Sequence, residues 1–286
     1  MLAFAKLRGS RGRLGDETVS ARSTQATGER KVGCMPRPLG WIRQFHKPDL
    51  PDSLPLLIFP HAGAGASAYR EFSKALSSRF DVIVFQYPGR QDRAAEALLG
   101  SISELAAGAF GEFATSDRNR GVPIVAFGHS MGAMVAFEFV RLAEAGGIDV
   151  RQLNASATVA PCHAADKLPH PATDEELLAH LAALEGTDTG VFADSAIMRL
   201  ALPVVKADFK AFDAYRCAED VKVAAPIHAM GGDQDPYVTL GDLYGWGKHT
   251  DTLTVTMFDG GHFYVNQHIE AVAELLTSGA QCEPTA

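Results

Sequence analysis

Pro123-Ile124-Val125-Ala126-Phe127-Gly128-His129-Ser130-Met131-Gly132 runs from a short apolar, β-branched stretch into a G-x-S-x-G turn, and residues 133–144 after it have helical spacing. Strand, sharp turn and helix in that order make a nucleophile elbow, in which the turn lifts a serine hydroxyl above the end of a sheet. The flanking glycines belong there because the strand and helix backbones approach too closely for a Cβ. The chain therefore reads as an α/β protein built to present Ser130.

Outward from the elbow, residues 54–59 and 81–87 are short β-branched and aromatic runs ending in Pro-His-Ala-Gly and Pro-Gly, the signature of buried strands that deliver loops at their carboxyl ends. Helical spacing occupies 69–77 and 102–113, and 153–159 reads as a further strand. This alternation predicts a mostly parallel sheet with helices on both faces. It breaks at 161–216, where helical segments at 174–184 and 194–215 have no strand between them, so this stretch is expected to be an inserted helical lid. Strands resume at 226–230 and 253–258, separated by a helix near 242–248 and followed by one over 265–276.

A serine hydroxyl is a weak nucleophile at neutral pH; an imidazole must take its proton, and a carboxylate must hold that imidazole in the right tautomer. Gly231-Gly232-Asp233-Gln234-Asp235-Pro236 follows one late strand and Asp259-Gly260-Gly261-His262-Phe263 follows the next. The order Ser, acid, His and the loop positions point to Ser130 as nucleophile and His262 as base. Asp233, Asp235 and Asp259 all compete for the acid. The G-x-x-D spacing from Gly232 favours Asp235, leaving Asp233 to accept backbone N–H bonds in the turn and Asp259 to serve the turn before Gly260. The oxyanion donors expected are the backbone N–H groups of Met131, next to the nucleophile, and Ala62, in the small-residue loop Pro60-His61-Ala62-Gly63-Ala64-Gly65. His61 and His129 are expected to pack around the elbow, and Phe209, Phe212 and Tyr215, at helical spacing, either to pack the lid or to line a substrate channel.

At 286 residues, with 47% hydrophobic and 21% charged residues, the composition is that of an ordinary globular protein. No apolar run approaches the ~20 residues that span a bilayer, so no membrane association is expected. The formal charge of −8 argues against nucleic acid as a partner. Cys34, Cys162, Cys217 and Cys282 are scattered without C-x-x-C pairing, which argues against a disulfide framework or zinc site and suits a cytoplasmic protein. No metal or cofactor is expected. Residues 1–36, with Arg8, Arg11, Arg13, Arg22 and Arg30 among small polar residues, read as a disordered extension and 281–286 as a tail. The folded domain is then 37–280, with the lid at 161–216.

Residues 41–278 resemble the type II (editing) thioesterases that accompany polyketide synthases and non-ribosomal peptide synthetases. The stretches that carry the resemblance are Phe59-Pro60-His61-Ala62-Gly63-Ala64-Gly65-Ala66-Ser67, Tyr87-Pro88-Gly89-Arg90, the elbow with Phe137-Glu138, Leu202-Pro203-Val204 with Ala207-Asp208-Phe209, and Gly261-His262-Phe263-Tyr264. The resemblance implies the α/β-hydrolase fold and hydrolysis of acyl or aminoacyl thioesters from the phosphopantetheine arms of carrier-protein domains, which serves antibiotic-type biosynthesis. It also implies Ser130, Asp235 and His262 as triad and Ala62 and Met131 as oxyanion donors. Where many members open the lid with an Arg-rich turn, this chain has Cys162-His163-Ala164-Ala165-Asp166-Lys167. A carboxylesterase or lipase, or an acyltransferase, would share fold and triad; a non-catalytic binding protein would have no need to keep all three triad residues.

Overall fold

The computed structural model describes residues 40–185 and 195–281. The chain divides into a segment 1–38 and a unit 39–286, and the fold is that of the second. The expected extension at 1–36 and residues 282–286 of the expected tail lie outside the described residues.

Among the described residues there are seven strands: β1 (Ile42–Arg43), β2 (Leu54–Phe59), β3 (Phe80–Phe85), β4 (Ile124–His129), β5 (Val150–Ser156), β6 (Ile227–Gly232) and β7 (Leu253–Phe258). They form one sheet in the order β1-β3-β2-β4-β5-β6-β7. Every neighbouring pair is parallel except β1 with β3. The helices are α1 (Arg70–Leu76), α2 (Ile102–Thr115), α3 (Met131–Ala145), α4 (Asp174–Glu185), α5 (Ser195–Asp213), α6 (Leu240–Tyr244) and α7 (Ile269–Gln281).

Successive strand side chains point to opposite faces, and the two cores divide accordingly. Leu57, Phe59, Ile83 and Phe85 pack with residues of α2 and α3, among them Leu105, Phe113, Phe137 and Phe139. Leu56, Ile58, Val82 and Val84 pack on the other face with Phe72 and Leu76 of α1 and Val272 and Leu276 of α7. Strands buried on both faces explain why the sequence here is continuously apolar rather than alternating. A third cluster joins Leu177, Leu181 and Leu184 of α4 to Leu202, Val205 and Phe209 of α5, and Ala62 and Phe263 pack against it. The helical excursion between β5 and β6 thus buries its apolar stripe on the two loops that flank the expected site.

Several boundaries differ from expectation. β1 was too short to carry a period; it is held by the Gln86 N–H donating to Trp41 O and the Ile42 N–H donating to Glu112 Oε1. β5 begins and ends three residues earlier than its apolar stretch suggests: Asn154 enters the sheet with its Nδ2 donating to the Ala126 carbonyl, and Ala157, at φ 51°, ends the strand. The last helix is preceded by a separate 3₁₀ turn, Tyr264–Asn266. Among the described residues no helix is long and apolar enough to cross a membrane.

Candidate active site

Ser130 stands between β4 and α3 with φ 54° and ψ −126°. A non-glycine residue held there costs about 1–3 kcal/mol and persists only when its surroundings over-determine it. They do: the Ser130 N–H donates to Ser156 O at 2.7 Å, and its carbonyl accepts from the Ala133 N–H at 2.9 Å. A Cβ on Gly128 would run into the backbone of Gly132 and Ala133, and one on Gly132 into the Phe59 carbonyl oxygen. The motif's glycines are therefore what lets α3 leave the sheet at this angle.

The β6 and β7 loops are joined through their backbones, the Asp233 N–H donating to Phe258 O and the Gln234 N–H to Gly260 O, both at 2.9 Å. The three candidate acids separate on this frame. Asp235 Oδ2 lies 2.7 Å from His262 Nδ1, and its Oδ1 accepts the Tyr237 N–H at 2.9 Å. Asp233 instead accepts the Gly260 N–H at 3.0 Å, and Asp259 accepts from the Gln234 side chain at 2.8 Å. Both side chains of the Asp235–His262 pair are buried. Because a carboxylate only accepts, Nδ1 carries the proton and Nε2 of His262 is left as the basic nitrogen.

Two further histidines surround the pair. The His129 ring, on the residue preceding Ser130, is 5.2 Å from the His262 ring, and His61 packs on Phe263 at 5.1 Å. His61 Nδ1 lies 2.9 Å from the Tyr69 hydroxyl; His129 Nδ1 lies 2.9 Å from Ser156 Oγ, which in turn contacts the Tyr264 hydroxyl at 2.7 Å. Burial, then the neighbouring His262 and Arg90, lowers His61 to about 3. Burial, with His262 and His61 next, drives His129 well below the usual imidazole range. Both rings stay neutral at pH 7, so neither competes for a proton nor opposes a positive charge on His262.

Met131 is the first residue of α3, whose opening N–H groups have no intrahelical acceptor and carry the positive end of the helix dipole. The Ala62 N–H has no hydrogen-bond acceptor among the described residues, while its neighbour's does: the Gly63 N–H donates to Asp208 Oδ2 at 2.7 Å. Asp208, on α5, is itself held by a two-point ion pair with Arg90, at 2.7 and 2.9 Å. The sequence stretches holding Arg90 and Asp208 were noted, but not this pairing; nothing local signals a contact between residues 118 positions apart. Phe209 packs inside the helical excursion as expected, whereas Tyr215 joins the main core and donates its hydroxyl to Glu138 Oε1 at 2.6 Å.

A family model described as the thioesterase domain matches residues 54–278. Phenyloxazoline synthase MbtB of Mycobacterium tuberculosis is 42% identical over 240 residues, which cover 83% of this chain and 17% of the synthase. Thioesterase PikA5 of Streptomyces venezuelae is 37% identical over 248 residues, covering 84% of this chain and 87% of that protein. The solved structure of the type II thioesterase BorB, from the borrelidin biosynthetic cluster, is similar with a TM-score of 0.77 at 41% identity, over 84% of this chain and 98% of that one. The chain thus spans 17% of the length of the synthase but 87% of PikA5 and 98% of the BorB chain.

Proposed function

The chain belongs to the thioesterase domain family, and from that premise we propose that it is a serine thioesterase releasing acyl or aminoacyl groups from the phosphopantetheine arms of carrier-protein domains, in an editing role beside a polyketide or non-ribosomal peptide synthase. The observation that carries the reading is the left-handed Ser130 at the β4–α3 junction together with a buried Asp235–His262 pair whose imidazole lies 5.2 Å from the ring of His129, the residue before Ser130.

Ser130 Oγ attacks the thioester carbonyl carbon as its proton passes to His262 Nε2. The carbonyl π electrons move onto oxygen, which the N–H groups of Met131 and Ala62 receive. Asp235 holds the imidazole and balances the positive charge it has gained, a charge that the neutral His61 and His129 do not oppose. Collapse of the tetrahedral species breaks the C–S bond, and the departing sulfur takes the proton from His262. Water, deprotonated by the same nitrogen, then attacks the acyl-serine and frees the acid and Ser130.

The partner reading is supported by the helical excursion, which acts as a lid over Ala62 and Phe263. A phosphopantetheine arm is a long, thin tether able to pass beneath such a cover while its carrier stays outside. Exposed Leu168, Tyr237, Leu240 and Tyr244 offer apolar surface beginning two residues from Asp235. The free thiols of Cys162 and Cys217 support a cytoplasmic setting.

Intact-mass measurement after mixing with an acyl thioester tests the nucleophile. A transient adduct of the acyl mass, mapped to Ser130 and absent from Ser130→Ala, is expected. The variant should lose turnover by roughly 10⁴-fold or more, as when a member of a cooperating triad is removed. Wild-type-like turnover by Ser130→Ala would end this reading.

A further inference from the structure

We propose that Asp208 is a positioning residue for the oxyanion hole: its carboxylate, supplied by α5 and oriented by Arg90, fixes the 62–63 peptide so that the Ala62 N–H faces the reacting carbonyl. This rests on the serine reading above and assigns a role to groups that the mechanism has not used.

The geometry is specific. Asp208 Oδ2 accepts both the Gly63 N–H and Arg90 Nη1 at 2.7 Å, and Oδ1 accepts Arg90 Nη2 at 2.9 Å. Arg90 Nη1 also lies 3.4 Å from Ala64 O, so the pair grips the loop on both sides of Gly63. Gly63 has φ +76°, a conformation that leaves a loop poorly determined by its own backbone preferences and in need of an outside hold. The Arg90 and Asp208 side chains are 4% and 1% exposed. An ion pair this buried is a poor source of stability, since desolvation offsets most of its attraction, and hydrophobic replacements of similar volume are often as stable. What a hydrophobic pair could not supply is an acceptor for the Gly63 N–H. Fixing that peptide matters catalytically because the oxyanion donors must be aimed before charge develops, and small misplacements at a reacting centre cost about 10²-fold. The acceptor comes from α5, so the helix that covers the site also completes it.

Two double variants separate positioning from charge pairing. Arg90→Met/Asp208→Asn and Arg90→Met/Asp208→Leu both remove the ion pair and keep similar volumes, but only the first retains an acceptor for the Gly63 N–H. The expected result is equal KM, with the Leu form melting somewhat below the Asn form because its Gly63 N–H is left without an acceptor, kcat of the Leu form about 10- to 100-fold below that of the Asn form, and the same factor lost in affinity for an alkyl boronic acid that forms a tetrahedral adduct. Equal kcat in two folded forms would overturn the proposal. Should either fail to fold, the wild-type protein decides by NMR. The Gly63 amide should be protected from hydrogen exchange, and the Ala62 amide proton should move downfield when the boronate adduct forms; an unprotected Gly63 or an unmoved Ala62 would overturn it. Ser130→Ala turnover separates the two claims: if it matches wild type, the serine reading fails and this one with it, whereas a dead Ser130→Ala with equal double variants removes only the role of Asp208.

Discussion

Asp233 and Asp235 stand two residues apart on one turn, and their partners give them different work. Asp235 faces the His262 imidazole, whereas Asp233 holds the Gly260 amide. Replacing the carboxylate that fixes a base's tautomer lowers kcat by about 10³- to 10⁴-fold. Asp235→Asn is therefore expected to lose activity on that scale, and Asp233→Asn less than about tenfold; steady-state kinetics on the two folded variants checks the ranking, and the reverse order would transfer the role to Asp233. A second residue-scale prediction concerns acid stability. His61 is pushed down to about 3 by burial, so between that pH and the ordinary histidine value near 6.5 the unfolded chain binds a proton that the folded one does not. Stability must then fall as the pH drops through this window, by about 1.4 kcal/mol per pH unit for each such histidine. Denaturant titrations from about pH 7 to 4 should give a shallower slope for His61→Gln than for wild type; identical slopes would contradict the assignment. The strand-end positions of Ser130, Asp235 and His262, and the pairing of the last two, were legible because each residue sits in a short motif at the end of a strand. The Arg90–Asp208–Gly63 contact and the chain His129–Ser156–Tyr264 were not, since they join residues from distant elements by side-chain hydrogen bonds that leave no local pattern.

The elements were legible in proportion to their apolar patterning. β2 and β7 fall where their β-branched and aromatic runs lie, α4 follows the apolar spacing of Leu177, Leu181 and Leu184, and α5 that of Leu202, Val205 and Phe209. Where polar side chains are buried inside the sheet, as at Gln152 and Asn154 of β5, hydrophobicity misplaces the boundary by a few residues. The region near 242–248 divides into α6, begun by a Thr239–Asp242 capping box, and a 3₁₀ turn, Gly245–Lys248. The junction of β4 with α3 depends on Gly132 passing against Phe59. Gly132→Ala should destabilise the fold by about 1–3 kcal/mol, the range for forcing extra volume into a packed site, and displace Ser130 enough to depress turnover. Chemical denaturation reads the first effect, and a stability equal to wild type would show that the elbow tolerates a Cβ.

Across the molecule as a whole, strand order puts Ser130 after a central strand and Asp235 and His262 after the two strands toward one edge, so three residues far apart in sequence share the carboxyl ends of one sheet. That arrangement was predictable from the β-α alternation and the chain order of the motifs; the antiparallel β1 at the opposite edge was not, being two residues long. The excursion carrying α4 and α5 then covers this end and, through Asp208, touches the loop that supplies Ala62. A molecule so built should use contacts with the pantetheine arm and its carrier to position the carbonyl, binding energy that a truncated substrate cannot supply. The decisive measurement is kcat/KM for one short acyl group presented three ways: on a carrier protein, on a small thiol and on a simple alcohol. The carrier thioester is expected to be hydrolysed best, the small thioester less well and the alcohol ester far less; equal or better hydrolysis of the alcohol ester would overturn the thioesterase function proposed above.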